Sequence, residues 1–166
     1  MASTYEKIAT TTLSSTTNTV TFSSISGAYT DLVLIINGKS DAEASPVLQF
    51  NSDTGNNYSD TYMSGRSTNA TASVRDTSQP YIWLVAYSRL NTSNLNLLSI
   101  INVMNYSNST TYKTVLTRSG NAVQGNVDTG VGLWRNTNAI TSISVKTASN
   151  NFVSGSTFTL YGILKA

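Results

Sequence analysis

Apolar residues recur at every second position along much of this chain, and that period decides what it can become. In "NTVTFSS" (18–24) Val20 and Phe22 share one face, with Thr19, Thr21 and Ser23 opposite. In "AITSISVKT" (139–147) Ile143 and Val145 oppose Ser142, Ser144 and Lys146. In "STFTLYGIL" (156–164) Phe158 and Leu160 alternate with Thr157, Thr159 and Tyr161. Successive side chains of a strand point to opposite faces, so a period of two sends one row into a core and the other to solvent. "DLVLIIN" (31–37) is apolar on both faces, which predicts a central strand or one whose outer face a partner covers.

Runs of this kind, broken by Gly, Asn, Asp and Ser, predict strands over 5–12, 18–24, 31–37, 47–51, 62–66, 81–87, 95–106, 112–118, 130–135, 139–147 and 157–164. Only "SDAEAS" (40–45) argues for helix: Ser40 and Glu43 stand in capping-box register, Asp41 lies beside them, and Pro46 closes the segment after one turn. The stretch 67–79 is polar and reads as a mobile loop. No repeat of 20–50 residues is present. Many short strands in 166 residues predict an all-β fold, a single-domain antiparallel β-sandwich over 1–166, jelly-roll-like, with Met1 to Tyr5 a candidate N-terminal arm.

Composition narrows the chemistry. There is no His and no Cys, which removes Ser–His and Cys–His nucleophiles, disulfides and thiolate metal sites. Charged residues are 11% of the chain, yet the longest aliphatic run, Leu32 to Ile36, is far below the ~20 residues of a membrane span. The ten Lys and Arg are dispersed, so no nucleic-acid footprint is expected. "MASTYEKIATTT" has no apolar core of a secretory signal, so synthesis in a cytoplasm is expected.

Two motifs invite a sharper reading. DTG occurs at Asp53–Gly55 and again at Asp128–Gly130, the triplet of aspartic proteases. Such enzymes need two carboxylates sharing one proton, each after an apolar strand, and "FNS" and "GNV" are not apolar approaches. The loop "FNSDTGNNYSD" also offers Asn51, Asp53 and Asp60 as candidate oxygen ligands for calcium. It matches no EF-hand register, and Asx-turns explain the same residues without an ion. With only eight acids and no evident pair, neither a glycosidase nor any other enzyme is expected, and no cofactor. Binding has more support, from nine Tyr and two Trp. Tyr58 and Tyr62, in or beside the loop, are candidate glycan or partner contacts; Trp83 and Trp134 read as core.

The segments "YEKIATTTL", "VTFSSI…YTDLVL", "LQFNSDTGNNYS", "GLWRNTNAITSISV" and "NNFVSGSTFTLYGI", in this order, resemble a group of small bacteriophage virion proteins along nearly the whole chain. The resemblance implies a jelly-roll-like sandwich on the outside of a virus particle and no catalytic residues. It leaves two roles open. One is a capsid decoration (cement) protein, a homotrimer bridging major capsid protein subunits. The other is a tail- or head-fibre domain binding a host surface glycan.

Overall fold

The computed structural model describes residues 4–68, 70–93 and 95–164. Twelve strands form: β1 (Tyr5–Thr12), β2 (Thr19–Phe22), β3 (Asp31–Gly38), β4 (Pro46–Phe50), β5 (Tyr58–Gly65), β6 (Thr71–Gln79), β7 (Ile82–Trp83), β8 (Leu97–Met104), β9 (Lys113–Asn121), β10 (Asn126–Trp134), β11 (Ile143–Thr147) and β12 (Thr157–Ile163). They make two antiparallel sheets, one of eight strands in the order β1-β12-β3-β8-β9-β10-β5-β6 and one of four in the order β2-β11-β4-β7. The all-β sandwich expected from the period of two is the fold found.

The strand order carries a jelly roll. The first strand pairs with the last, β1 with β12, and then β2 with β11, β3 with β8 and β4 with β7. Four nested couples of this kind are a long antiparallel ribbon wrapped into two sheets. Two hairpins are added to it, β5–β6 between β4 and β7, and β9–β10 between β8 and β11. Neither joins the smaller sheet. They meet through β10 and β5 and extend the larger sheet past β8.

The core fills the space between the sheets with the alternating rows: Leu32, Leu34 and Ile36 of β3, Ile101 and Val103 of β8, Phe158 and Leu160 of β12, facing Leu48 and Phe50 of β4 and Ile143 and Val145 of β11. Each such side chain contributes about 1.5–3 kcal/mol on burial. Phe152 and Phe158 meet edge to face at 4.9 Å. β3 is central, and its outward row is flanked by side chains of β12 and β8, with Val33 between Tyr161 and Asn102.

Three sequence-based expectations are corrected. The stretch 67–79 holds the edge strand β6 rather than a loop; only Ala72, Val74 and Asp76 turn inward there, so no apolar row announces it. The strand expected over 81–87 is cut to Ile82–Trp83, because carboxylates take the N–H groups that a longer ladder would use. "SDAEAS" is not helical. The Ser40 hydroxyl donates to the Ala42 carbonyl, Asp41 accepts from Asn151, and Ala44 exchanges backbone bonds with Leu90. One helical turn closes a single hydrogen bond for three residues fixed, and these tertiary bonds outcompete it. Of the proposed arm, Met1 to Ser3 lie outside the described residues, and Tyr5 opens β1 opposite Ile163.

Candidate functional site

The DTG loop is a structural turn. Asn51, with φ of 50°, directs its Oδ1 to the N–H groups of Thr141 (2.8 Å) and Ser142 (3.1 Å) and donates from Nδ2 to Ala139 O. Asp53 accepts Trp134 Nε1–H at 2.7 Å, Asn57 Nδ2 at 3.0 Å and Gly55 N–H at 2.9 Å. Burial pulls its pKa upward, but these bonds together outweigh that and leave the carboxyl below its usual value. Tyr58 closes the loop from below: its hydroxyl accepts Phe50 N–H and lies 3.1 Å from Asp53 O, while its ring stacks on Trp134 at 6.2 Å.

The second triplet is elsewhere. Asp128 precedes Trp134 by six residues on β10, about 20 Å at ~3.4 Å per residue, so the two DTG aspartates cannot share a proton. Its Oδ2 accepts three consecutive N–H groups, Ala86 at 3.0 Å, Tyr87 at 3.0 Å and Ser88 at 2.7 Å. Asp60 on β5 accepts Trp83 N–H at 3.0 Å. Further bonds join the same segment to the added hairpins, from Ser119 Oγ to Leu84 O and from Asn126 Nδ2 to Tyr87 O. Residues 83–90 are thus stitched to the inner face of β5, β9 and β10. The candidate calcium ligands Asn51, Asp53 and Asp60 are committed to separate sets of partners, and among the described residues no three acids converge as metal ligands would.

Asp60 is the perturbed acid of the set. Desolvation pushes its pKa up to about 7, the Trp83 bond resists, and Asp76, directly across on β6, pushes it further. Its Oδ1 has no hydrogen-bond partner among the described residues, which leaves room for a proton there. Tyr62 lies two residues on. Burial, and then the fields of Asp60, Asp76 and Asp128, hold its phenol strongly protonated. The candidate contact rings are interior, Tyr58 at 0% and Tyr62 at 1% exposure, so neither is presented to a glycan or a partner. The Tyr62 ring lies over Gly130, where an added Cβ would sit 2.2 Å from the ring.

The outward face of these strands has the opposite character. β8 turns out Leu98, Ile100 and Met104, β9 Leu116, β10 Val127, Val131 and Leu133, and β5 Met63. Val127 is 60% and Met63 67% exposed, too much for side chains that tertiary structure covers. Register lines them up: Leu98, Gly120, Val127 and Gly65 stand in one cross-strand row, and Asn102, Leu116, Val131 and Thr61 in another. The bare glycines cut furrows between taller neighbours. The larger, a groove of about 570 Å³, runs over Gly120 between Leu98, Ile100 and Val127. Arg118 stands beside it, exposed, opposite Ile100 and Thr129.

This face escaped the sequence reading because its apolar residues come from separate strands. In β9 the pattern is inverted at all but Val115, since Lys113, Thr117, Ser119 and Asn121 point in and Leu116 points out. Lys113 survives there by donating Nζ to Thr111 O and Thr137 O, with burial pulling its pKa down. The usable signal was Val127, Val131 and Leu133 flanking the buried Asp128. Searches of protein-family models, of curated proteins and of solved structures find no match to the chain.

Proposed function

We propose that this protein is a structural adhesion block of a virus particle, a capsid decoration protein that docks the outer face of its eight-stranded sheet on neighbouring shell subunits. The observation that carries the reading is the apolar, unpartnered face of β8, β9, β10 and β5. With β3 it spans five strands at ~4.8 Å and eight residues at ~3.4 Å, roughly 24 by 27 Å or about 650 Å². That approaches the ~800 Å² per partner of a stable protein interface. Exposed patches of this kind mark interaction surfaces in soluble proteins.

The setting comes from the resemblance to small bacteriophage virion proteins. As a homotrimer the block would present three such faces, and linked contacts persist where single ones dissociate. The alternative of a fibre domain reading host glycans drew on Tyr58 and Tyr62, and loses support with both rings inside.

The test is occupancy on particles purified from the cells that make the protein. Leu116→Lys with Val131→Glu, directly opposite across the β9–β10 ladder, places an ion pair on the face without like-charge repulsion. Wild-type protein is expected in shell-like copy number. The double variant is expected to keep its melting temperature and lose occupancy by about tenfold or more. Absence of the protein from particles, or full occupancy by the variant, refutes the proposal.

A further inference from the structure

Arg118 is the one cation among the outward positions of β3, β8, β9, β10 and β5. Asp31, at the start of β3, is the only other charge on that face, and its Oδ1 accepts Asn105 N–H. Among the described residues Arg118 has no carboxylate and no aromatic ring as partner, whereas Arg89 pairs with Glu43 and Arg66 lies over Tyr87. A guanidinium beside an apolar furrow keeps its five donors for something that arrives.

From this we infer, resting on the docking role proposed above, that the Gly120 furrow binds a partner protein segment in which one carboxylate is flanked by apolar side chains. The apolar side chains lie between Leu98, Ile100 and Val127, and the carboxylate takes two parallel N–H bonds from Arg118. A groove of about 570 Å³ is within the range of binding sites that enclose a few side chains. The charge count selects the ligand. A single guanidinium matches a single carboxylate; a phosphate dianion would bring excess charge into an apolar surround, and nucleic acid needs several cations in a row. The one acid on the same face of a second copy, Asp31, lies at the far end of β3, four residues from the Ile35 level of Arg118, and its Oδ1 already accepts Asn105 N–H, so a second copy fits the furrow less well than a segment with a free carboxylate. Arginines at the centre of apolar patches are frequent hot spots of protein interfaces.

The experiment selects random dodecapeptides against the immobilised wild-type protein. The expected outcome is a consensus of Asp or Glu between Leu, Ile, Val or Phe. Arg118→Gln is expected to weaken the selected peptide by about tenfold or more. Gly120→Leu is the second variant: a Cβ there meets only Asn126 O at 3.8 Å, an ordinary contact, so the side chain fills the furrow without disturbing β9. It is expected to abolish binding at an unchanged melting temperature. A pool without consensus, a consensus lacking the acid, equal binding by Arg118→Gln, or an Arg118-independent dimer in sedimentation each overturns the inference. If Arg118→Gln decorates particles fully while Leu116→Lys/Val131→Glu does not, the docking face stands and its acidic partner falls.

Discussion

The two halves of the eight-stranded sheet bury their inner faces by different means. Over β12, β3 and β8 the inward rows are almost all hydrocarbon, Phe158, Leu160, Leu34, Ile36, Ile101 and Val103. Over β10 and β5 only Trp134 and Tyr58, at one end, join that core, and the rest of the inward rows are Asp128, Gly130, Gly132, Tyr62, Asp60 and Ser64. The first half packs against a second sheet and gains from area alone, without direction. Beyond Phe50 and Ile82, which pack on Trp134, Tyr58 and Gly132, the second half has the segment 83–90 above it, which forms little ladder of its own. There one oxygen of each buried carboxylate takes particular N–H groups, Asp128 Oδ2 three and Asp60 Oδ2 one, so the path of the covering segment is dictated bond by bond. Hydrocarbon sets how firmly the sandwich holds; the carboxylates set where one strap of chain lies.

Asp128→Ala tests that contrast most severely. It leaves three N–H groups without their acceptor, at about 1–3 kcal/mol for a buried donor; Ala86 and Tyr87 are only half-buried, so a loss of roughly 3–6 kcal/mol is expected in urea unfolding. Hydrogen exchange should speed first at Ala86 to Ser88, whereas Leu34→Ala, at about 2–5 kcal/mol, should loosen both sheets together. A loss under ~1 kcal/mol for Asp128→Ala would break the comparison.

Asp60 sharpens it through pH. A carboxyl whose folded pKa of about 7 lies above its unfolded value of ~3.9 binds its proton more tightly when folded. Its stabilisation is therefore full below pH ~4 and lost as pH rises to about 7, up to ~4 kcal/mol in all. Asp60→Asn should remove that slope, so that unfolding free energies at pH ~5 and ~8 converge toward one value. Asp53 has the opposite sign. Its lowered pKa gives stability that is present above the ordinary carboxyl range and lost on acidification, reported by the fluorescence of Trp134.

Two glycines make the smallest contrast. Gly130→Ala would drive a methyl into the Tyr62 ring and Gly132→Ala another into Ile82 at 2.7 Å, each destabilising by about 1–3 kcal/mol. Gly120→Ala, on the outer face of the same sheet, should change stability by under ~1 kcal/mol and toward greater stability. Thermal melts of the three variants in parallel decide it. An equal cost at all three positions would erase the difference between faces.

Strands with one apolar row were readable from the sequence, because burial on one side writes a period of two. β2 and β12 fall close to where that period puts them, β11 takes the second half of its predicted span, and β3 lies where its run apolar on both faces places it. β6 was unreadable for the converse reason: an edge strand beyond the smaller sheet needs no apolar row, and Ala72 and Val74 are too little to show. The segment after Trp83 misled because "LVAY" looks like strand while the N–H groups of Ala86 and Tyr87 serve one distant carboxylate, Asp128. Asp128 was legible as an acid in a DTG triplet but not as an anchor, since its partners lie some forty residues away. The outer face was hidden because register across four strands assembles it. Each strand alone contributes one to three apolar residues that could equally be core.

Nesting the first strand against the last also has a practical side. β1 and β12 run antiparallel, with Tyr5 opposite Ile163, so the leading and trailing strands share one margin of the larger sheet. From there to β9 is four strand spacings, roughly 20 Å. A fluorophore, enzyme or antigen fused next to either of those strands would leave along that margin and keep clear of the Gly120 furrow. Cargo can thus be carried on one flank while the broad face remains free to grip.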